Sequence, residues 1–97
     1  MFDKLNALMD VRKKMQQVKE ELAAARFDIC SEGGLVTITM SASQEIHDVR
    51  FEKGIDGVAA EALARQIKDA FNRGIRRSQE IAAQKMKDIT GIKLPGT

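Results

Sequence analysis

Apolar residues recur every three or four positions from Val58 to Thr90, which is the period of one face of an α-helix. No proline interrupts the segment, so it predicts one long helix over about residues 58–90. At about 1.5 Å of rise per residue this helix would be roughly 50 Å long, whereas a compact chain of this length has a radius of gyration of only about 13 Å. We therefore expect it to extend beyond its own domain, with a second copy of the chain covering its apolar side. The residues of that apolar side are Leu63, Ile67, Ala70, Phe71, Gly74, Ile75, Ile81, Ala82, Met86 and Ile89.

A second helical pattern occupies about residues 3–25. Its apolar residues follow alternating steps of three and four, a heptad-like spacing, with Leu5 one turn earlier. Charged residues and glutamines, which favour helices, stand between them. The residues with this spacing are Leu8, Val11, Met15, Val18, Leu22 and Ala25.

Between the helices the apolar period changes from three or four to two, which predicts strands over about residues 27–32, 35–42 and 46–52. Gly33 and Gly34 are expected to supply the positive φ angles of a tight hairpin turn. Residues 41–45 form a second, polar turn. Ile46 and Val49 would fall on opposite faces of a regular strand, so either a bulge separates them or both faces are partly covered. The predicted core of the sheet is Val36, Ile38, Met40, Val49 and Phe51.

These elements predict one α+β domain over residues 1–97, a three-stranded antiparallel meander between two long helices. Asp56 or Gly57 is expected to cap the start of the second helix. Gly91 suits its C-terminal cap, and Pro95 prevents the helix from continuing. Residues 92–97 are expected to be a loose tail.

The composition is poor in the residues that line ligand pockets. Four Phe are the only aromatic residues, so neither a small-molecule site nor a base-stacking platform is expected. The formal charge of +2 is unevenly spread over the chain. Residues 1–25 carry five basic and four acidic residues, residues 26–53 three and five, and residues 54–97 eight and five. The helices are therefore basic and the strands acidic.

Candidates for catalysis or metal binding are few. His47 is the only histidine and Cys30 the only cysteine, whereas a metal site needs several converging ligands. A Cys30–His47 pair across the sheet would be a nucleophile without an evident orienting partner. The sequence also lacks a phosphate-binding glycine loop. We therefore expect a protein without enzymatic activity, metal or cofactor, in which His47 is structural.

The single cysteine also bears on location. Cys30 cannot form an internal disulfide, which suits a reducing cytoplasm. The longest apolar run, Leu22–Ala25, is too short for a membrane span or a signal peptide. The sequence therefore predicts a cytoplasmic protein that does not cross a membrane.

The order of elements, together with several short motifs, resembles the YbaB/EbfC family of bacterial nucleoid-associated proteins. The resemblance covers nearly the whole chain, although residues 41–45 lack the glycine that the family usually has at the second turn. The motifs are Met1-Phe2 before a Met- and Gln-rich helix, Gly33-Gly34-Leu35-Val36 at the second strand, Asn72, Lys85-Met86, Thr90-Gly91 and Leu94-Pro95-Gly96.

What the resemblance implies is a homodimer whose strands join into one sheet, with helices projecting like the arms of tweezers. It further implies binding of double-stranded DNA in the bacterial nucleoid. Charge and shape, without chemistry, would carry this function.

Two groups of basic residues are the candidate DNA contacts. If both helices leave the sheet side by side with Ala25 near Leu63, then Lys13 is level with Ile75. The two basic groups would then converge on one arm, where they would hold phosphates without reading base identity. These candidates are Arg12, Lys13, Lys14, Arg73, Arg76 and Arg77.

Other interpretations of the same residues are open. Charge runs on helices are often only solvated faces, and the charges of Arg65, Asp69 and Arg73 can neutralise one another. An adaptor that docks the apolar stripe of the same dimer on another protein would fit the small net charge. A membrane-surface role for the first helix is weaker, because acidic residues nearly cancel its charge and no Trp anchors it.

Overall fold

The computed structural model describes residues 2–52 and 54–91, with side chains from Lys4 onward. Helix α1 spans Phe2–Ala24, strands β1, β2 and β3 span Arg26–Cys30, Val36–Ser41 and Ile46–Phe51, and helix α2 spans Ala60–Thr90. The α+β architecture expected from the sequence is confirmed. The described chain is elongated, with extents of 68 × 24 × 17 Å. The tail predicted at residues 92–97 lies outside the described residues.

The three strands form one antiparallel sheet in the order β1-β2-β3. Ile38 in the central strand pairs with Ile29 on one side and Val49 on the other, so apolar residues line up across one face. On β3 the register shifts, because Thr39 pairs with Asp48 but Met40 pairs with Ile46. A bulge therefore separates Ile46 from Val49 and returns both to the same face, which resolves the two alternatives left by the sequence.

The core lies between this apolar face and the first half of α2. Val36, Ile38 and Met40 are buried together with Ala70 of α2, and Phe27 and Ile29 of β1 pack against them. Gly74 lets α2 lie close to the sheet, since a Cβ at that position would collide with the side chain of Met40. The glycine thus marks close contact between helix and sheet.

Two of the five residues predicted for the sheet core are not buried. Val49 and Phe51 share the apolar face but remain 38 % and 45 % exposed. The reason is geometric, because a helix about 10 Å across covers two strands spaced about 4.8 Å apart, and α2 lies over β1 and β2. In the part of the chain that the structure describes, α2 does not cover the apolar face of β3.

The glycines of the first turn have different roles from those expected. Gly34 has a φ of 75°, but Gly33 does not adopt a positive φ. A Cβ at Gly33 would lie 2.6 Å from the side-chain amide of Gln66, so this glycine lets α2 pack against the turn. At the second turn Gln44 takes the positive φ, 67°, that a glycine would adopt more easily.

The ends of α2 give one wrong prediction and one confirmed one. The residue that precedes the helix is Ala59, which makes no side-chain capping bond, so the cap expected from Asp56 or Gly57 is wrong. Gly57 has a φ of 85° and instead turns the chain before the helix begins. Gly91 has a φ of 73° and donates its N–H to the carbonyl of Lys87 over 2.8 Å, which confirms it as the C-terminal cap.

Candidate nucleic-acid interface

Helix α2 is fixed along the sheet before it reaches α1. The Gly33 N–H donates to Gln66 Oε1 over 3.0 Å and the Glu32 N–H donates to Asp69 Oδ2 over 2.8 Å, which anchors the first turns of α2 at the β1–β2 turn. The helix then crosses the core at Gly74 and continues beside α1. There, Lys85 Nζ lies 3.4 Å from Glu21 Oε1.

This ion pair shows which turns of α1 and α2 lie side by side, and it contradicts the expected convergence of the basic groups. Arg76 lies nine residues before Lys85, which places it about 14 Å nearer the sheet. Lys13 lies eight residues before Glu21 in a helix that runs the opposite way, which places it about 12 Å farther out. The two groups are therefore about 26 Å apart along one protomer. The prediction was wrong because the first turns of α2 lie over the sheet, so that the helix passes beyond the sheet well after Leu63.

The first basic group does not form a single patch. Arg12, Lys13 and Lys14 follow one another in a helix, so each points about 100° away from the last. Lys14 Nζ lies 3.3 Å from Asp10 Oδ2. The side chains of Arg12 and Lys13 are exposed and make no ion pair within residues 4–52 and 54–91. Arg12 borders an apolar groove on α1 whose other walls include Val11, Met15, Val18, Leu22 and Met86.

The second basic group is divided in a similar way. Arg73 Nε lies 2.9 Å from Asp69 Oδ2, an ionic contact without hydrogen-bond alignment, and its guanidinium also lies 3.9 Å from Glu32. Arg77 lies 3.1 Å from Glu80. Arg76 is exposed and has no acidic partner in the part of the chain that the structure describes. Three of the six candidate residues, Lys14, Arg73 and Arg77, thus carry charges already matched by a neighbouring carboxylate.

The face of the sheet turned away from α2 is polar and its charges are compensated locally. Arg50 donates to Asp48 over 3.0 Å and to Thr39 over 2.9 Å, and it lies 3.4 Å from Asp28. The hydrogen bond to Asp48, aided by the charge of Asp28, raises the pKa of Arg50. Two carboxylates thus face the single guanidinium of Arg50, so this cluster of side chains does not favour phosphates.

Exposed apolar side chains mark two further surfaces. On β3, Ile46, Val49 and Phe51 extend the apolar face of the sheet beyond the cover of α2. Because Lys85 lies beside Glu21 and the helices are antiparallel, Thr90 at the end of α2 lies beside about residue 16 of α1. The turns of α1 before residue 16 therefore have no described helix beside them. The exposed large apolar residues of these turns are Leu5, Leu8, Met9, Val11 and Met15.

Cys30 and His47 do not come together. Cys30 pairs with Thr37, which pairs with Arg50, whereas His47 lies at the bulge, three residues before Arg50 in β3. Two strand spacings and three residues separate the pair by about 14 Å. Within residues 4–52 and 54–91, no three His, Cys, Asp or Glu side chains are grouped so that they could hold a metal ion. In the same ranges, neither helix is long and apolar enough to cross a membrane.

Comparison with known proteins agrees with this architecture. A family model described as the YbaB/EbfC DNA-binding family matches residues 1–92. A nucleoid-associated protein of Syntrophobacter fumaroxidans is 32 % identical over 98 % of this chain and 93 % of its own length. The nucleoid-associated protein MCA1327 of Methylococcus capsulatus is 34 % identical over 82 % of this chain and 75 % of its own. The crystal structure of the uncharacterized protein HP0035 from Helicobacter pylori shares the fold, with a TM-score of 0.77 and 22 % identity, over 94 % of this chain and 98 % of that one.

Proposed function

Since this chain belongs to the YbaB/EbfC DNA-binding family, we propose that it is a homodimer that binds double-stranded DNA through basic residues on its helices, with little sequence specificity. Its place of action is the nucleoid in the bacterial cytoplasm. The binding needs no chemistry, because phosphates are attracted by charge and the affinity comes largely from released counterions.

The observation that carries the proposal is the presence of uncompensated cations on the outside of the helices. Arg12, Lys13 and Arg76 are exposed and free of acidic partners among the described residues, so they can meet a phosphate without first breaking an ion pair. Lys14, Arg73 and Arg77 belong to the same proposed set. They would have to exchange a carboxylate for a phosphate, and they therefore contribute less.

The homodimer rests on the uncovered face of β3. Its three apolar side chains extend a buried core, and β3 is an edge strand whose outer backbone groups can pair with another strand. A second copy presents the same face and the same edge, so a two-fold arrangement can extend the sheet and cover both apolar surfaces together. In such a dimer the helices of both protomers project as arms.

Fluorescence anisotropy of two unrelated labelled duplexes tests the proposal. We expect similar affinities for both duplexes and a steep loss of binding between about 50 and 200 mM salt. The matched variants Arg76→Gln and Arg77→Gln remove the same charge from adjacent positions of α2. We expect Arg76→Gln to reduce the salt slope by about 0.9 for each phosphate that this side chain neutralises, and Arg77→Gln to change it less. Absence of binding at about 50 mM salt would refute the proposal.

A second candidate function is a protein-interaction adaptor, and the exposed first half of α1 favours it. Leu5, Leu8 and Val11 form an apolar stripe on a helix, a surface that can dock against another helix or groove. A pull-down with the immobilised protein tests this function. A protein partner that stays bound at high salt, together with no retention of DNA at low salt, would support it.

A further inference from the structure

The side of α2 that faces away from both the sheet and α1 carries basic residues over almost the whole length of the helix. We propose that these residues form the main contact line to the phosphate backbone of duplex DNA, an inference that rests on the proposed function. We call this surface the outer line. It consists of Arg65, Lys68, Asn72, Arg76, Gln79, Ala83 and Lys87.

The geometry of the helix defines the outer line. Ala70, Gly74 and Ser78 are the buried positions of α2 and mark its inner side. At about 100° per residue, every member of the outer line points within about 60° of the opposite direction. The members are separated by steps of three and four residues, and all are exposed except the half-buried Ala83.

The outer line contains four cations, and the two acidic residues that point within the same angle, Asp69 and Glu80, contact Arg73 and Arg77. None of the four makes an ion pair within residues 4–52 and 54–91, whereas Arg73, Arg77 and Lys85 of the same helix each contact a carboxylate. Glu61, which precedes the line by one turn, limits it at its beginning. The uncompensated positive charge of α2 is therefore concentrated on this side.

The length of the outer line matches the repeat of DNA. Arg65 and Lys87 are 22 residues apart, which is about 33 Å along the helix, and one turn of duplex DNA is about 34 Å. Cations distributed along that length can contact phosphates over about one turn. The side-chain amides of Asn72 and Gln79 can donate hydrogen bonds to phosphate oxygens between them. Such contacts hold the backbone and read no base.

Two charge-matched variants of the full-length protein test the inference. The first, Arg65→Gln with Lys68→Gln and Lys87→Gln, removes three cations from the outer line. The second, Lys14→Gln with Arg73→Gln and Arg77→Gln, removes three cations that are ion-paired. We expect the first to lower affinity for a duplex of about 20 base pairs about tenfold or more at about 50 mM salt and to flatten the salt slope by about 2.7 for each contacting helix. The second should lower affinity less than about threefold.

Added charge gives a comparison that does not depend on weakening the fold. Gln79 lies on the outer line, whereas Gln84 lies off it and donates to Asp88 over 2.7 Å. We expect Gln79→Lys to tighten DNA binding and to steepen the salt slope. Gln84→Lys should change the affinity and the slope less, because the new lysine can form an ion pair with Asp88. Equal effects within each matched pair would show that only net charge matters and would overturn the outer line while leaving DNA binding intact. Failure of the unmodified protein to bind any duplex would instead refute the proposed function.

Discussion

The two helices of this protein differ in how far their apolar sides are covered. The apolar side of α2 lies first on the sheet and then on α1, and apart from Ile75 its large apolar residues are at least half-buried. The apolar side of α1 is covered only near its end, where Val18 is 3 % exposed, while Val11 two turns earlier is 54 % exposed. The longer helix is therefore the better covered one, and the uncovered apolar surface belongs to α1 and β3.

This contrast changes what a partner must supply. The length of α2 predicted that its own stripe needs a second copy, whereas the large exposed apolar residues of the described chain lie mostly on β3 and on the outer half of α1. Helix α2 is consequently free to present its charged side along its whole length, because its apolar side is occupied within the chain.

The largest expected effect is a loss of stability in the covered region. Ile38 is fully buried beneath α2, so Ile38→Ala should lower the free energy of unfolding by about 2–5 kcal/mol. Urea unfolding followed by circular dichroism measures the loss. A cost below about 1 kcal/mol would show that the contact between α2 and the sheet is looser than the geometry indicates.

A smaller effect for each substituted side chain, on assembly and not on the fold, is expected on the uncovered strand. Phe51→Ala should weaken the proposed dimer by about 1.5–3 kcal/mol for each protomer, because an apolar side chain leaves the interface. Sedimentation equilibrium gives the dissociation constant. Thr37→Ala, on the opposite face of the sheet, is the control and should leave it unchanged. An unaltered dimer in the Phe51 variant would exclude this face as the interface.

The smallest effect compares the same substitution at two positions of α1. Val18→Ala removes two methyl groups from a buried site and should cost about 1–2 kcal/mol, whereas Val11→Ala should cost less than about 0.5 kcal/mol. Both variants gain the same helix propensity, so the difference between their stabilities in thermal unfolding reports the difference in burial. Equal costs would mean that the outer half of α1 is covered in solution.

Most of the fold could be predicted because it depends on local patterns. The change of period from three or four to two separates helices from strands, and Gly91 identifies the end of α2. Which turns of α1 and α2 lie side by side could not be predicted, because this depends on how many turns of α2 lie over the sheet. That number is a long-range property. The placement of the bulge at His47 was likewise undecided, since local sequence allowed two arrangements.

The candidate site was predicted less completely for a related reason. Adjacent basic residues attract attention in a sequence, but neighbours in a helix point in different directions, as Arg12, Lys13 and Lys14 do. The cations of the outer line are dispersed over 22 residues, and only their shared helical side brings them together. Which cations are already paired, as Arg77 is with Glu80, depends on side-chain conformation.

The mass of the protein–DNA complex tests the account most directly. Sedimentation equilibrium with a labelled duplex of about 20 base pairs, roughly two helical turns, reports both DNA binding and the number of protomers bound. At about 50 mM salt we predict complexes that contain two protomers on one duplex, with the same mass for unrelated sequences and dissociation as salt is raised. A complex with a single protomer would contradict the homodimer, and free DNA at every protein concentration would contradict the function.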